Sequence, residues 1–341
     1  ARYVDCEAPS CSAVRPARLL PASWASARRL VSTRSTRVER TVYSAIGVLH
    51  GLFPPSGAEE AREIEREIEL NGSPADEFMV LNDARCPRLS ELFRQGLRLS
   101  TKHLDAEQRE AIAAVEDGSE WACADEPWKL ICYRDWYACR RAASKLIPPA
   151  VEQMAVALDV ATARQMHHIF EAGAHFTDDP EATRSEALKL TIGRLWAHVL
   201  GLLSAPDGRL HLCSGHDWSV SPLLMCISAP DDPNLSHWPP FCANLAVELW
   251  STREADVSMP RRLSHPSSGG GGAREAGRHV RVLYNGQPIK LRCAPARETC
   301  TLAEFNAMVG PFCVQDFAAE GQARAGEVKA KASTGFNTQT E

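Results

Sequence analysis

The stretch Val31-Ser32-Thr33-Arg34-Ser35-Thr36-Arg37-Val38-Glu39-Arg40-Thr41 decides how this chain is read. A strand-like segment here gives way to a helix. Thr36 and Glu39 have the spacing of a capping box, and Val42, Ala45, Ile46 and Leu49 follow at helical spacing until Gly51 closes the helix. A second turn, Gly215-His216-Asp217 running into Ser221-Pro222, is built alike. Leu210 to Gly215 reads as a strand, Ser221 as a cap and Pro222 as the first helical position, with Leu223, Leu224 and Ile227 continuing the apolar face. Helix N-termini offer free N–H groups to anions, and ligands of open α/β sheets sit at the carboxyl ends of the strands. An arginine, a histidine and an acid at two such turns point to phosphoryl chemistry.

At these residues the chain resembles the histidine acid phosphatases. The family's R-S-T followed by R-T is matched by Arg34, Ser35, Thr36, Arg40 and Thr41, and its late His-Asp signature by Gly215, His216 and Asp217. Further likeness lies in Cys86-Pro87-Arg88-Leu89, in Trp238-Pro239-Pro240-Phe241 leading to Glu248-Leu249-Trp250, and in Val280 to Gly286 followed by Cys293 and Cys300. The likeness is strongest to the branch containing lysophosphatidic acid phosphatase. Each motif alone is weak, and the ordered set is specific. The fold implied is a phosphoglycerate-mutase-like, doubly wound α/β sheet with an inserted helical cap. It places the core at 1–55 and 205–318, the cap at 56–204 and a disordered tail at 319–341.

The chemistry implied by the resemblance is hydrolysis of a phosphomonoester through a phosphohistidine. Asp217 would protonate the leaving alcohol, and His216 would donate to a phosphoryl oxygen. Arg34 would grip two non-bridging oxygens with its planar fork. Thr36 and Arg40 are expected near the site as structural groups, Arg40 as an ion-pair partner. No metal or other cofactor is implied. The family's nucleophile is the histidine of an R-H-G-x-R motif, which does not occur in this sequence; Arg278-His279-Val280-Arg281 lacks the glycine and leads into a late strand. Arg2-Tyr3-Val4-Asp5 resembles the end of the family helix that follows that motif. The expectation is therefore an N-terminally incomplete phosphatase, inactive for want of its nucleophile. A non-catalytic phosphate-binding or interaction protein, a pseudophosphatase, is the alternative, and a phosphoglycerate-mutase-like phosphotransferase fits Asp217 and Trp238-Pro239-Pro240 less well.

Composition narrows the partners. The chain has 341 residues, 44% of them hydrophobic, and a net charge of −5, which gives no reason to expect nucleic acid. The best apolar run, Leu195 to Leu203, is interrupted by His198 and too short to span a membrane. The substrate expected is a small phosphomonoester: a lysophospholipid, sugar phosphate or inositol phosphate. Twelve cysteines show no zinc spacing. Cys293 and Cys300 flank a short loop where the resemblance implies a disulfide, which would favour a secretory or mitochondrial compartment over the cytosol.

Along the rest of the chain, core structure is expected from about Arg29. A charged helix should follow from Glu59 to Leu70, with further helices at 87–115, 125–146, 148–173 and 182–204. Adjacent His167 and His168 face different ways on a helix and suit no metal; His175 could line the cleft. Later strands are expected at Arg209 to Ser214, Ala243 to Trp250 and Val280 to Tyr284, with Asn285-Gly286 as a hairpin turn and Pro288 marking an edge. A flexible polar loop is expected from Arg253 to Arg278.

Overall fold

A computed structural model describes residues 20–73, 76–102, 104–118, 128–171, 180–251 and 277–314. Most of the polar insertion, the expected tail, residues 2–5 and His175 lie outside the described residues. In chain order the elements are α1 (Trp24–Ala27), β1 (Val31–Ser35), α2 (Glu39–Leu52), α3 (Ala58–Arg66), β2 (Ile68–Leu70), α4 (Pro87–Lys102), α5 (Ala106–Gly118), α6 (Lys129–Ala142), α7 (Pro149–Gln153), α8 (Ala155–Glu171) and α9 (Pro180–Ser204). They continue with β3 (Leu210–Ser214), α10 (Asp217–Ile227), β4 (Leu245–Ser251), β5 (Arg278–Tyr284), β6 (Gln287–Pro288), β7 (Thr299–Thr301) and α11 (Leu302–Val309). The fold is mixed α/β. The chain divides into two compact units, one of 1–80 with 198–219 and one of 81–197 with 220–341.

The first unit is built on a parallel sheet of order β2-β1-β3. Strand β1 alternates buried Val31, Thr33 and Ser35 with half-buried Ser32 and Arg34, as a pleated strand requires. Its buried face joins Leu20, Trp24, Ala27, Leu49, Phe53 and Ile64 in one apolar cluster, with Ile68, Leu210 and Leu212 packed against it. Among the described residues, core structure reaches back to Leu20, ahead of the expected Arg29, because Trp24 packs on Phe53 with ring centroids 5.5 Å apart.

Four local expectations are corrected here. Helix α2 has Val38 at its N-cap without a side-chain cap bond, so the Thr36–Glu39 box is not formed; the Thr36 hydroxyl is committed elsewhere. The helix also continues past Gly51 to Leu52, where Phe53, 1% exposed, closes it by donating its N–H to the Leu49 carbonyl at 2.8 Å. The charged helix expected to reach Leu70 stops at Arg66, and Ile68–Leu70 instead pairs in parallel with Thr33–Ser35. Helix α10 starts at Asp217, so Pro222 is its sixth residue rather than its first. A proline there forfeits a hydrogen bond to Trp218, and the helix accepts that loss.

In the second unit, α5, α6, α7 and α8 enclose Ala111, Val115, Leu130, Tyr133, Val151, Leu158 and Ala161. The later strands form an antiparallel sheet of their own, β4-β5-β6 with β7 also on β5. Asn285 and Gly286, with φ of 49° and 79°, make the hairpin turn as expected. Cys86-Pro87-Arg88-Leu89 acquires a structural meaning. The Cys86 sulfur accepts the Leu89 N–H at 3.4 Å, Pro87 opens α4, and buried Arg88 forks onto buried Glu186 at 3.2 and 3.1 Å. The Cys293–Cys300 bridge is not formed. Both residues are free thiols, separated as hydrogen-bonded partners rather than joined sulfurs.

Helices α4 and α8 meet at Gly96, where a Cβ atom would overlap the Ile169 carbonyl. Backbone cannot retreat as a side chain can. Gly96→Ala should therefore destabilise the protein by about 1–3 kcal/mol in urea unfolding, despite alanine's better helix propensity. Gly47→Ala in α2, where nothing lies within 4 Å, should instead be neutral or stabilising.

Candidate active site

Strands β1 and β3 run side by side with Arg34 opposite Cys213 and Ser35 opposite Ser214, and the Thr36 N–H continues the ladder to the Ser214 carbonyl at 3.2 Å. Their carboxyl ends therefore lie together, and the segments that leave them, Thr36–Arg40 and Gly215–Ser219, share one edge of the sheet. The end of β2, at Asn71, adjoins on the other side of β1. All of these residues belong to the first unit.

His216 is the centre of the cluster. Its Nε2 lies 3.0 Å from Thr36 Oγ1, and its Nδ1 lies 3.2 Å from Arg40 Nη2. Behind Thr36 stands a packed set of hydroxyls. Thr36 Oγ1 is 2.7 Å from Thr41 Oγ1, Ser35 donates to Thr41 Oγ1 at 3.1 Å, and Thr41 donates to the Val38 carbonyl at 2.7 Å. The turn itself is pinned by Ser219, whose Oγ accepts the His216 N–H at 3.1 Å. Gly215 makes room for this: a Cβ atom there would lie 2.9 Å from Ser219 Oγ. Asp217 opens α10, and its Oδ1 accepts the Trp218 N–H at 2.9 Å. An acid in that position also suits the positive end of the helix.

The two arginines differ in their partners. Arg34 projects from the face of β1 that carries its register neighbours Glu69 and Cys213, and it donates to Glu69 at 2.7 Å and to Asn71 Oδ1 at 3.3 Å. Its guanidinium also covers the Phe78 ring at 5.5 Å. Arg40, expected to make an ion pair, has no carboxylate within 4.0 Å among the described residues and faces His216 from the first turn of α2. The reason is geometric. Position 34 lies in the strand, where side chains alternate across the sheet, and position 40 lies beyond its end, where α2 begins.

Several contributors escaped the sequence reading: Glu69, Asn71, Glu77, Phe78 and Ser219. Buried Asn71 donates to Glu77 at 2.8 Å, and the Arg37 guanidinium donates to the Gly72 carbonyl at 3.0 Å. The signal available was Asn71-Gly72 directly after Ile68–Leu70, a turn after a short apolar run. The surrounding charge run hid it.

Burial lowers the His216 pKa from the ordinary 6.5; Arg40 acts in the same direction, while Asp217 and Glu77 oppose it. His198, in the last turns of α9, is also lowered, first by burial and then by Arg34 and His211. Both imidazoles are held neutral.

No family model matches the chain. It is similar to human testicular acid phosphatase, with 26% identity over 310 residues that cover 83% of this chain. The match spans 63% of the length of that curated relative. This similarity supports the family resemblance carried by the motifs.

The two depressed histidines predict how stability depends on pH. Above 6.5 they are neutral in both the folded and the unfolded chain and contribute no slope. Below it the unfolded chain takes up protons that the folded chain refuses, so stability falls as the pH drops through the window under 6.5. Thermal unfolding from pH 8 to pH 5 should show that decline, and His216→Gln should make it shallower. An unchanged slope in this variant would contradict the assignment.

Proposed function

We propose that this chain carries the phosphate grip and proton donor of a histidine-acid-phosphatase-type phosphomonoester hydrolase. One observation carries the reading. Arg40 and His216, 176 positions apart, meet at the carboxyl ends of adjacent parallel strands, and Arg40 has no acidic partner among the described residues. A guanidinium whose charge faces the open end of a sheet, beside an imidazole and a helix N-terminus, is a setting for a tetrahedral dianion or monoanion. The likeness to an acid phosphatase agrees with this chemistry.

In this reading Arg40 and His216 hold the non-bridging oxygens, and Asp217 protonates the bridging oxygen as the alcohol leaves. The phosphate contact first assigned to Arg34 passes to Arg40, because Arg34 is spent on Glu69 and Asn71. Thr36 supports His216 from behind. The nucleophile is the histidine of an R-H-G-x-R motif, and turnover belongs to a protein that carries this motif together with the present residues. The substrate is a small phosphomonoester. The second reading is a phosphate-binding pseudophosphatase, which would use the same Arg40 and His216 without turnover. An assay of this chain on an aryl phosphate near pH 5 separates the two readings from an active enzyme of different design: both require no turnover, and robust turnover refutes both.

Calorimetric titration with inorganic phosphate tests the reassigned grip. Arg40→Ala should weaken binding by roughly 10- to 100-fold, the worth of a hydrogen bond to a charged group, and Arg34→Ala should change it less than about threefold. The reverse order would restore Arg34 as the ligand. For Asp217 the test is kinetic and uses a protein that also carries R-H-G-x-R. Asp217→Asn should slow hydrolysis of alkyl phosphates by about 10² to 10⁴, and activated aryl phosphates much less, because their alcohols leave without a proton. Equal slowing of both would remove the acid role.

A further inference from the structure

The hydrogen-bond directions around His216 can be followed to their end. A guanidinium only donates, so Arg40 Nη2, 3.2 Å from His216 Nδ1, requires a lone pair on Nδ1. The ring proton of the neutral imidazole then sits on Nε2, 3.0 Å from Thr36 Oγ1, and the threonine oxygen accepts it. Thr36 in turn points its own proton at Thr41 Oγ1, 2.7 Å away, and Thr41 donates onward to the Val38 carbonyl at 2.7 Å. The direction of the chain Arg40, His216, Thr36, Thr41, Val38 is set at its arginine end, because the guanidinium can only donate. In the opposite tautomer Nδ1–H would confront the arginine N–H. Thr36 would have to donate to Nε2, and its hydrogen bond to Thr41 Oγ1, 2.7 Å away, would have to reverse or be lost. Thr36 and Thr41 are buried, so no water relieves the mismatch at their end of the chain.

We infer that Thr36 is a positioning residue that fixes His216 as the Nε2–H tautomer, so that the imidazole meets a phosphoryl oxygen through Nδ1 and binds it only with a proton placed there. This deepens the phosphate reading and rests on it. Nε2–H is committed to Thr36 and cannot turn to the ligand. When phosphate arrives, the Arg40 N–H moves from Nδ1 to a phosphoryl oxygen, and the vacated lone pair takes one proton. That proton comes from the P–OH of the phosphate monoanion or from solvent, and the ring then donates it to the bound oxygen. No bond other than N–H and O–H changes. The charged groups facing His216 are Arg40 from α2, Asp217 from α10 and Glu77 from the segment after β2. Phosphate binding is thereby tied to proton uptake, and affinity should rise as the medium becomes more acidic.

Nitrogen-15 spectra of the histidine side chains, with His216 identified by its loss in His216→Gln, test the wiring and the ligand step separately. In the free chain at neutral pH the His216 signals should report a proton on Nε2 and a bare Nδ1. Thr36→Val should give a mixture of tautomers and bind phosphate about two- to tenfold more weakly, the worth of one net hydrogen bond, while Thr36→Ser should keep both properties. Inorganic phosphate should convert Nδ1 to a protonated nitrogen. Overturning results are a proton on Nδ1 in the free chain, an unaltered tautomer in Thr36→Val, or phosphate binding that leaves Nδ1 bare. Should phosphate leave the His216 signals unmoved, the phosphate reading falls and the ligand step with it; the tautomer in the free chain is decided by its own spectrum.

Discussion

The candidate site depends on the parallel pairing of β1 with β3. Residues 31–35 and 210–214 are separated by more than half the chain, and only their shared ladder brings Thr36 and His216, 180 positions apart, to 3.0 Å. A shift of one residue in that register would turn the alternation of buried and open positions over. Val31, Thr33 and Ser35 would leave the apolar face, and Arg34 would be driven into the cluster around Leu49 and Phe53. The register is therefore held by core burial, and the geometry at the sheet's end inherits its accuracy from that.

Around this end, polar groups are arranged so that each charge has a defined task. Arg34 is matched by Glu69 across the strand and stiffens the β1–β2 pair. Arg40 is left without a carboxylate partner, among the described residues, beside a neutral imidazole. The neutral form of His216 is favoured first by its burial and then by the Arg40 guanidinium beside it. The hydroxyl set of Ser35, Thr36 and Thr41 gives the ring a direction as well as a place.

Motifs in the second unit serve packing. Arg134, 8% exposed, lies over the Trp238 ring at 5.5 Å and donates to the Pro239 carbonyl at 3.3 Å, which ties the Trp-Pro-Pro segment to α6. Buried Arg88 and Glu186 do the same for α4 and α9. Removing one member of such a pair strands a charge away from water, so both partners are held in place by the penalty of losing either. The stretches that resemble a known family are thus of two kinds. Those ending β1 and β3 form the candidate site, and those at 86–89 and 238–241 hold helices and loops together.

The sequence by itself determined the two strand-to-helix turns, the helical run through residues 87–204, the Asn285-Gly286 hairpin and the identity of Arg34, Thr36, Arg40, His216 and Asp217 as a group worth watching. Each rests on local physics: periodicity, turn chemistry, and the dipole at a helix start. Strand β2 was not legible, because three residues following a highly charged helix have no pattern of their own and become a strand only when β1 supplies the hydrogen bonds. Which arginine faces the imidazole was equally hidden. Arg34 and Arg40 are alike in charge and close in sequence, and their roles differ because one lies within the pleat and the other beyond its end. The fate of Thr36 followed the same rule: its spacing to Glu39 fits a cap, yet a histidine brought near by tertiary pairing claimed the hydroxyl. Local signals specify elements and candidates, whereas partners are chosen by long-range register, which no window of sequence contains.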